Sequence, residues 1–263
     1  MEIKDQLDRR LKLKGVPKRI ISLVPSQTEL LYDLGLEDSI VGITKFCVHP
    51  FHFKSTKQVV GGTKSIKIER IKALHPDIIL CNKEENTKEI VEACELICAT
   101  HISDIYTIKD CLELIYQYGE IFNKRTNALK ISDKIKYNLK DFQEYIEDKA
   151  ILKVAYFIWR KPWMVAGNNT FINYLLVLNK FENIYQNKER YPEVNIENIQ
   201  KEGDPEIVLL SSEPYPFKDE HAFEIGRVSH HAKTIFVDGE MFSWYGSRLI
   251  KAFDYFKLLR NRL

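Results

Sequence analysis

The sequence lacks any apolar run that approaches the ~20 residues of a membrane-spanning helix. Its first residues, MEIKDQLDRRLKLKGVPKRI, are charged throughout and lack the apolar central region of a secretory signal. The five cysteines, an odd number, do not indicate a disulfide framework. As written, the sequence therefore predicts a cytoplasmic location. A periplasmic or cell-surface location is the alternative if a signal or lipid anchor lies upstream.

Recognisable catalytic motifs are also missing. The sequence contains no GxxxxGK[ST], no GxGxxG after its first strand and no HExxH. GGTKS (61–65) is too short to cradle a phosphate, and Cys47 with His49 has no second pair to complete a structural zinc site. We therefore predict a protein that is not an enzyme and has no intrinsic cofactor.

The balance of charge says little about partners. Lys and Arg number 39 and Asp and Glu number 37, a net charge of +2. Such a small excess does not favour nucleic acid or an anionic membrane. The sequence predicts a monomer that binds a small molecule.

Short apolar strands alternate with amphipathic helices along the chain. RIISLV (19–24) predicts a buried strand, and SQTELLYDLGL predicts a helix capped by Ser26 or Thr28 and ended by Gly35. SIVGIT and DIILC predict further strands, and AILKVAYFIW (150–159) begins a second series. This alternation predicts mainly parallel sheets with helices on both faces.

The middle of the chain predicts one long helix. Residues 132–149 contain no Gly or Pro, and apolar side chains recur at three- and four-residue steps, at Ile131, Ile135, Leu139, Phe142 and Ile146. IERIKALHPDIIL (68–80) also resembles IENIQKEGDPEIVLL (196–210). We predict two three-layer α/β lobes, residues 1–118 and 150–263, bridged by a helix within residues 119–149, with a ligand cleft between the lobes.

Several segments resemble a known class of receptor. They are PKRIISLVPSQTELLYDLGL, VVGGTKSIKIERIKALHPDIILC, PEIVLLSSEPYPF and VDGEMFSWYGSRLIKAFDYF. These segments resemble the helical-backbone (class III) substrate-binding proteins, which serve ABC importers of vitamin B12, haem and ferric siderophores, and resemble the B12-binding branch most. The resemblance implies capture of a cobalamin or other corrinoid for ABC-type import. Haem or ferric siderophore binding is one alternative, and a cytoplasmic cofactor-handling protein or enzyme on the same fold is another.

The same resemblance implies contact with an ABC permease. Glu69 and Glu197 match the family's transporter-docking positions and occupy equivalent places in the repeat. The alternative is that each carboxylate stabilises a helix N-terminus through the helix dipole, which is worth ~0.3–1 kcal/mol.

Loops that follow the strands are rich in aromatic residues, which favours a large, flat, partly apolar ligand. The predicted ligand contacts are Lys45, Phe46, Cys47, His49, Trp159, Trp163, Glu213, Tyr215, Phe217, Phe242, Trp244, Tyr245 and Arg248. For any single ring, packing in the core is the alternative.

Several of these residues fit more than one role. The TKFCVHP loop predicts first a pocket wall, then an axial metal ligand from His49 or less readily Cys47, and last a nucleophile. Lys45 and Arg248 could pair with ligand carboxylate or phosphate, or Arg248 could hold its own turn. Glu213 could accept hydrogen bonds from ligand amides or pair with Lys218.

Overall fold

A computed structural model describes residues 1–263. The chain divides into two compact units. The first contains Met1–Lys136 and Tyr245–Ile250, and the second contains Tyr137–Trp244 and Lys251–Leu263. None of the helices combines the length and apolar character needed to cross a bilayer.

The first unit is built on a parallel sheet preceded by a small hairpin. The hairpin strands are β1 (Glu2–Lys4) and β2 (Arg10–Lys12), and the sheet strands are β3 (Ile20–Ser22), β4 (Ile40–Ile43), β5 (Gln58–Val59), β6 (Ile78–Asn82) and β7 (Ala99–Ser103). The sheet has the order β5-β4-β3-β6-β7 and all its pairings are parallel. β3 and β6 are buried at every residue, which explains their unbroken apolar sequences.

Six helices lie in the first unit or begin in it. They are α1 (Pro25–Asp33), α2 (Phe53–Thr56), α3 (Ile68–Ala73), α4 (Lys88–Glu95), α5 (Ile108–Ile121) and α6 (Arg125–Ile146). Thr107 caps α5 through a capping box with Asp110, in which each side chain bonds the other residue's backbone N–H. The predicted caps of α1 are wrong, because the helix begins at Pro25 and takes Ser26 and Thr28 into its first turn.

The long amphipathic helix is α6. Its predicted stripe is confirmed, since Ile131, Ile135, Phe142 and Ile146 are buried and Leu139 is half-buried. The predicted bridge, residues 119–149, is longer than α6 at both ends. At its N-terminal side α5 continues to Ile121, and Asn123 adopts a left-handed φ of 54° between the two helices.

The second unit repeats the architecture. Its strands are β8 (Leu152–Trp159), β9 (Met164–Val165), β10 (Phe181–Asn183), β11 (Ile207–Ser211) and β12 (Lys233–Val237). They have the order β10-β8-β11-β12 in parallel, and β9 pairs antiparallel with β8. Its helices are α7 (Phe171–Leu178), α8 (Ile199–Glu202), α9 (Asp219–Val228), α10 (Gly239–Ser243) and α11 (Leu249–Asn261). The predicted class, two α/β lobes with mainly parallel sheets, is confirmed.

One short segment departs from the predicted division at residue 150. Tyr245–Ile250 groups with the first unit although it follows most of the second along the chain. The reason is burial: Tyr245, Gly246, Ser247 and Arg248 are all buried, and they bond to α1 and α5 of the first unit.

Candidate ligand-binding site

Four aromatic side chains meet at one edge of the second unit's sheet. We call Trp159, Trp163, Tyr215 and Phe217 the aromatic cluster. Trp159 ends β8, Trp163 follows in the turn to β9, and the other two lie in the loop after β11. β8 and β11 are parallel neighbours, so the loops after them share one edge.

The rings of the aromatic cluster touch in a continuous series. Trp159 and Tyr215 are 5.4 Å apart between ring centroids, and Tyr215 and Phe217 are 4.9 Å apart. Phe217 stacks on Trp163 with an interplanar angle of 9° and a centroid distance of 5.8 Å. These four predicted contacts therefore form one packed cluster. Trp159 is 39% exposed, whereas Phe217 is buried and packs against Trp163 and Tyr215.

His221 orients the hydroxyl of Tyr215. The backbone N–H of Lys218 donates to His221 Nδ1 at 2.9 Å, and His221 Nε2 lies 3.1 Å from the Tyr215 hydroxyl. Because Nδ1 accepts a hydrogen bond, the neutral ring carries its proton on Nε2 and donates it to the Tyr215 oxygen. The Tyr215 hydroxyl thus keeps its own proton for another acceptor.

An ion pair lies against the ring of Trp163. Arg160 Nε lies 3.0 Å from Glu224 Oε2 and Arg160 Nη2 lies 2.9 Å from Oε1, a bidentate arrangement. The guanidinium carbon is 5.2 Å from the centre of the Trp163 ring, within cation–π range. The sequence did not predict Arg160, His221 or Glu224 as members of the site, because their partners are distant in sequence or lack a recognised spacing.

Glu213 lies on the same loop and is half-buried. Ser243 Oγ donates to Glu213 Oε1 at 2.7 Å, and this hydroxyl, rather than Lys218, is the partner in the structure. Burial raises the pKa of Glu213, while the Ser243 hydrogen bond opposes the rise. The Glu213 carboxylate thus accepts a hydrogen bond from within the second unit.

Two other predicted contacts in the second unit lie in its interior. Phe242 is fully buried, with ring centroids 5.2 Å from Tyr156 and 4.9 Å from Phe256. Trp244 is 6% exposed. Phe242 therefore packs as a core residue and presents no ring to a ligand.

The TKFCVHP loop of the first unit presents some side chains and buries others. Lys45 and Phe46 are exposed, and His49 is half-buried with its ring 5.2 Å from that of Phe51. Cys47 is fully buried, with its sulfur 3.0 Å from Thr28 Oγ1 and 3.3 Å from Thr44 Oγ1.

Burial also decides the chemistry of Cys47. It raises the pKa of the thiol, so the neutral form predominates, and the thiolate is the form that attacks or coordinates. Neither a nucleophile nor a metal ligand fits this position. The structure contains no group of three or more His, Cys, Asp or Glu side chains placed to hold a metal.

Tyr245 and Arg248 are anchored inside the first unit. Gln27 Nε2 donates to the Tyr245 hydroxyl at 2.9 Å and to Ser103 Oγ at 2.7 Å. Arg248 Nε donates to Glu29 Oε2 at 2.9 Å, and both side chains are buried. The structure thus gives Arg248 the role of holding its own segment, through the carboxylate of Glu29.

Glu69 and Glu197 are exposed on the first and second units respectively. Glu69 lies in the first turn of α3, 2.9 Å from Lys72 Nζ. Glu197 lies in a 3₁₀ turn, Ile196–Asn198, that Asn195 caps. Each therefore stands at the start of a helical turn, in equivalent places of the repeat.

Comparison with known proteins gives the family. Residues 20–227 match the family described as periplasmic binding protein. The chain belongs to this family. Membership in this family confirms the resemblance to substrate-binding proteins that the sequence predicted.

Individual relatives agree with the family. An uncharacterised ABC transporter substrate-binding lipoprotein, YvrC of Bacillus subtilis, is 27% identical over 96% of this chain and 82% of its own length. A vitamin B12-binding protein of Vibrio campbellii is 25% identical over 75% of this chain and 72% of its own.

Solved structures share the fold at low identity. The periplasmic vitamin B12 binding protein BtuF of Vibrio cholerae has a TM-score of 0.80 at 19% identity, covering 95% of this chain and all of that one. A periplasmic heme binding protein from Pseudomonas aeruginosa has a TM-score of 0.80 at 18% identity, covering 92% of each chain. At these identities the likeness establishes the two-lobed fold.

Proposed function

We propose that this periplasmic binding protein captures a metal chelate with a large, partly apolar ring system and delivers it to an ABC importer. The observation that carries the proposal is the aromatic cluster at the carboxyl edge of β8 and β11. Joined rings offer a broad, rigid contact area at little cost in side-chain entropy, which suits a flat ligand better than a hydrated ion.

A cobalamin or related corrinoid is the first candidate ligand, and haem or a ferric siderophore is the second. Relatives and structural neighbours that bind vitamin B12 or heme support both. In either case Tyr215 would donate its hydroxyl proton to an acceptor on the ligand. His49 is the candidate for an axial donor, a position that needs one neutral imidazole nitrogen.

The same relatives also support a proposal for the partner and the location. A relative described as an ABC transporter lipoprotein supports an ABC permease as the partner and an extracytoplasmic site of action. Glu69 and Glu197 are the proposed contacts with that permease, since both carboxylates are exposed.

The cluster's role is tested by binding. We expect Trp159→Ala to weaken binding of cobalamin, haem or ferric desferrioxamine, whichever the wild type binds, by at least about tenfold. Trp159 is the exposed ring of the cluster, and a large aromatic anchor carries much of the energy of a contact. Binding is measured by titration of absorbance or intrinsic fluorescence.

Phe223→Ala is the matched control. Phe223 is 70% exposed on α9 of the same unit but lies outside the aromatic cluster. Its loss should leave affinity unchanged. Equal affinities of wild type and Trp159→Ala would remove the cluster from the binding site.

A further inference from the structure

A basic depression of about 520 Å³ lies within the first unit, between the loop after β4 and the turn after β5. We call it the lysine pocket. Four of its lining residues are cations, and none is acidic: Lys45, Lys64, Lys67 and Arg70. The whole chain carries a net charge of only +2, so this is a strong local concentration of positive charge.

Backbone hydrogen bonds hold the walls of the lysine pocket together. Lys45 N–H donates to the Gly61 carbonyl at 2.8 Å, and Lys67 N–H donates to the Val60 carbonyl at 2.7 Å. Within the turn, Gly62 N–H donates to the Ser65 carbonyl at 2.7 Å. The pocket is therefore formed before any ligand arrives.

Two glycines shape the turn and the pocket floor. Gly61 has a φ of 136°, and a Cβ there would lie 2.5 Å from the Ser65 carbonyl oxygen. A Cβ on Gly62 would lie 3.1 Å from the ring of Phe46. The Phe46 ring thus packs close to bare backbone and supplies an apolar wall beside the cations.

The cations of the pocket are not neutralised by carboxylates. Lys64 Nζ donates to the Glu84 backbone carbonyl at 2.6 Å, and Arg70 Nη1 donates to the Val59 carbonyl at 3.1 Å. Carbonyl oxygens orient these groups and leave their charge intact. Lys72, on the same helix as Arg70, is instead paired with Glu69.

We propose that the lysine pocket binds an oxyanion carried by the ligand, a carboxylate or a phosphate, with Phe46 against the adjoining apolar part. Ammonium and guanidinium groups form charge-assisted hydrogen bonds with such oxygens. The inference rests on the proposed function, and it adds that the ligand carries a negatively charged group.

The test compares chelates with and without an oxyanion. Haem carries two carboxylates that its dimethyl ester lacks, and cobalamin carries a phosphate, together with the ribose and base of its nucleotide, that cobinamide lacks. We expect wild type to bind the charged member of one pair about tenfold more tightly at low salt, as one charge-assisted hydrogen bond is worth. The pair that shows the preference identifies carboxylate or phosphate.

Two double variants test whether the preference for the charged chelate arises in the lysine pocket. Lys64→Gln with Lys67→Gln should bring the two members close to equal affinity, and added salt should do the same in wild type because these side chains are exposed. The control, Lys54→Gln with Lys72→Gln, removes two exposed lysines outside the pocket and should keep the preference. Melting temperatures check that all variants are folded.

Two results would overturn the proposal: equal affinity for both members of each pair in wild type, or a preference that survives in the pocket variant. Binding without preference leaves the proposed function standing. If no chelate binds at all, the proposed function fails, and inorganic pyrophosphate then tests the pocket alone. Stabilisation of wild type but not of the pocket variant supports the pocket, and no stabilisation of either refutes it.

Discussion

His101, on β7, shows how one buried side chain ties stability to pH. Its Nε2 lies 3.0 Å from Gln117 Oε1, and its Nδ1 is buried without a hydrogen-bond partner. Burial lowers the pKa of His101 to about 4, despite the opposing effects of Gln117 and Asp5. The folded protein therefore holds this ring neutral at every pH at which most proteins work.

Stability should fall as His101 is forced to protonate. The folded state binds this proton less readily than the unfolded chain, whose histidine has a pKa near 6.5. The contribution of His101 is complete above about pH 6.5 and is lost as the pH falls towards 4, by up to about 3 kcal/mol. Urea unfolding at several pH values in this window measures the loss.

The matched variants are His101→Gln and His230→Gln. The first should reduce the dependence on pH, because glutamine does not titrate. The second removes an exposed histidine of the second unit and should leave the dependence as in wild type. An unchanged pH profile in His101→Gln would contradict this account of the buried ring.

At the scale of elements, the segment Tyr245–Ile250 is held in the first unit by polar contacts. Gly246 N–H donates to Cys111 Sγ at 3.0 Å, and the Arg248–Glu29 pair joins the segment to α1. Both charges of that pair are buried, so each depends on the other.

Replacing Arg248 alone should therefore lower the free energy of unfolding more than replacing Arg248 and Glu29 together. Arg248→Met leaves the Glu29 carboxylate buried without the guanidinium and should lower the free energy of unfolding by about 3–5 kcal/mol. Arg248→Met with Glu29→Gln should recover part of that loss. Urea denaturation of both single variants and the double variant measures the coupling.

A surface pair serves as the control. Lys83 Nζ lies 2.6 Å from Asp104 Oδ2, with half of the lysine side chain exposed. Lys83→Gln should cost no more than about 1 kcal/mol. If Arg248→Met costs as little, the buried pair does not hold the segment.

Much of this element-level structure could be predicted from local pattern. The apolar strand at Ile20–Ser22 and the stripe along α6 follow from hydrophobic periodicity alone. The grouping of Tyr245–Ile250 with the first unit could not be predicted. Its partners Gln27 and Glu29 lie more than 200 residues away in the sequence.

The candidate site was predictable only in part for the same reason. Loops after parallel strands share an edge, which placed Trp159 and Tyr215 together correctly. Exposure depends on tertiary packing, so Cys47, Phe242 and Arg248 were expected on a surface and are buried. His221 was missed because a histidine three residues after Lys218 carries no distinctive sequence signal.

At the scale of the whole molecule, ligand binding and delivery should be separable. Glu69→Lys with Glu197→Lys reverses two exposed charges without touching the aromatic cluster or the lysine pocket. Import of the chelate into cells that depend on this protein should be lost, while affinity of the purified variant stays as in wild type.

Exposed acids elsewhere provide the comparison for that experiment. Glu92→Lys with Glu182→Lys changes the net charge equally, at exposed positions on α4 and β10, and should leave import intact. Undiminished import by Glu69→Lys with Glu197→Lys would show that these two carboxylates do not dock the permease.

The melting temperature with and without ligand shows whether this protein is a receptor for a metal chelate. A ligand that binds only the folded state at about 100 times its Kd adds about 2.7 kcal/mol of stability. We expect a clear rise with at least one of cobalamin, haem and ferric desferrioxamine, and none with a sugar or an amino acid. An unchanged melting temperature with all three chelates would contradict it.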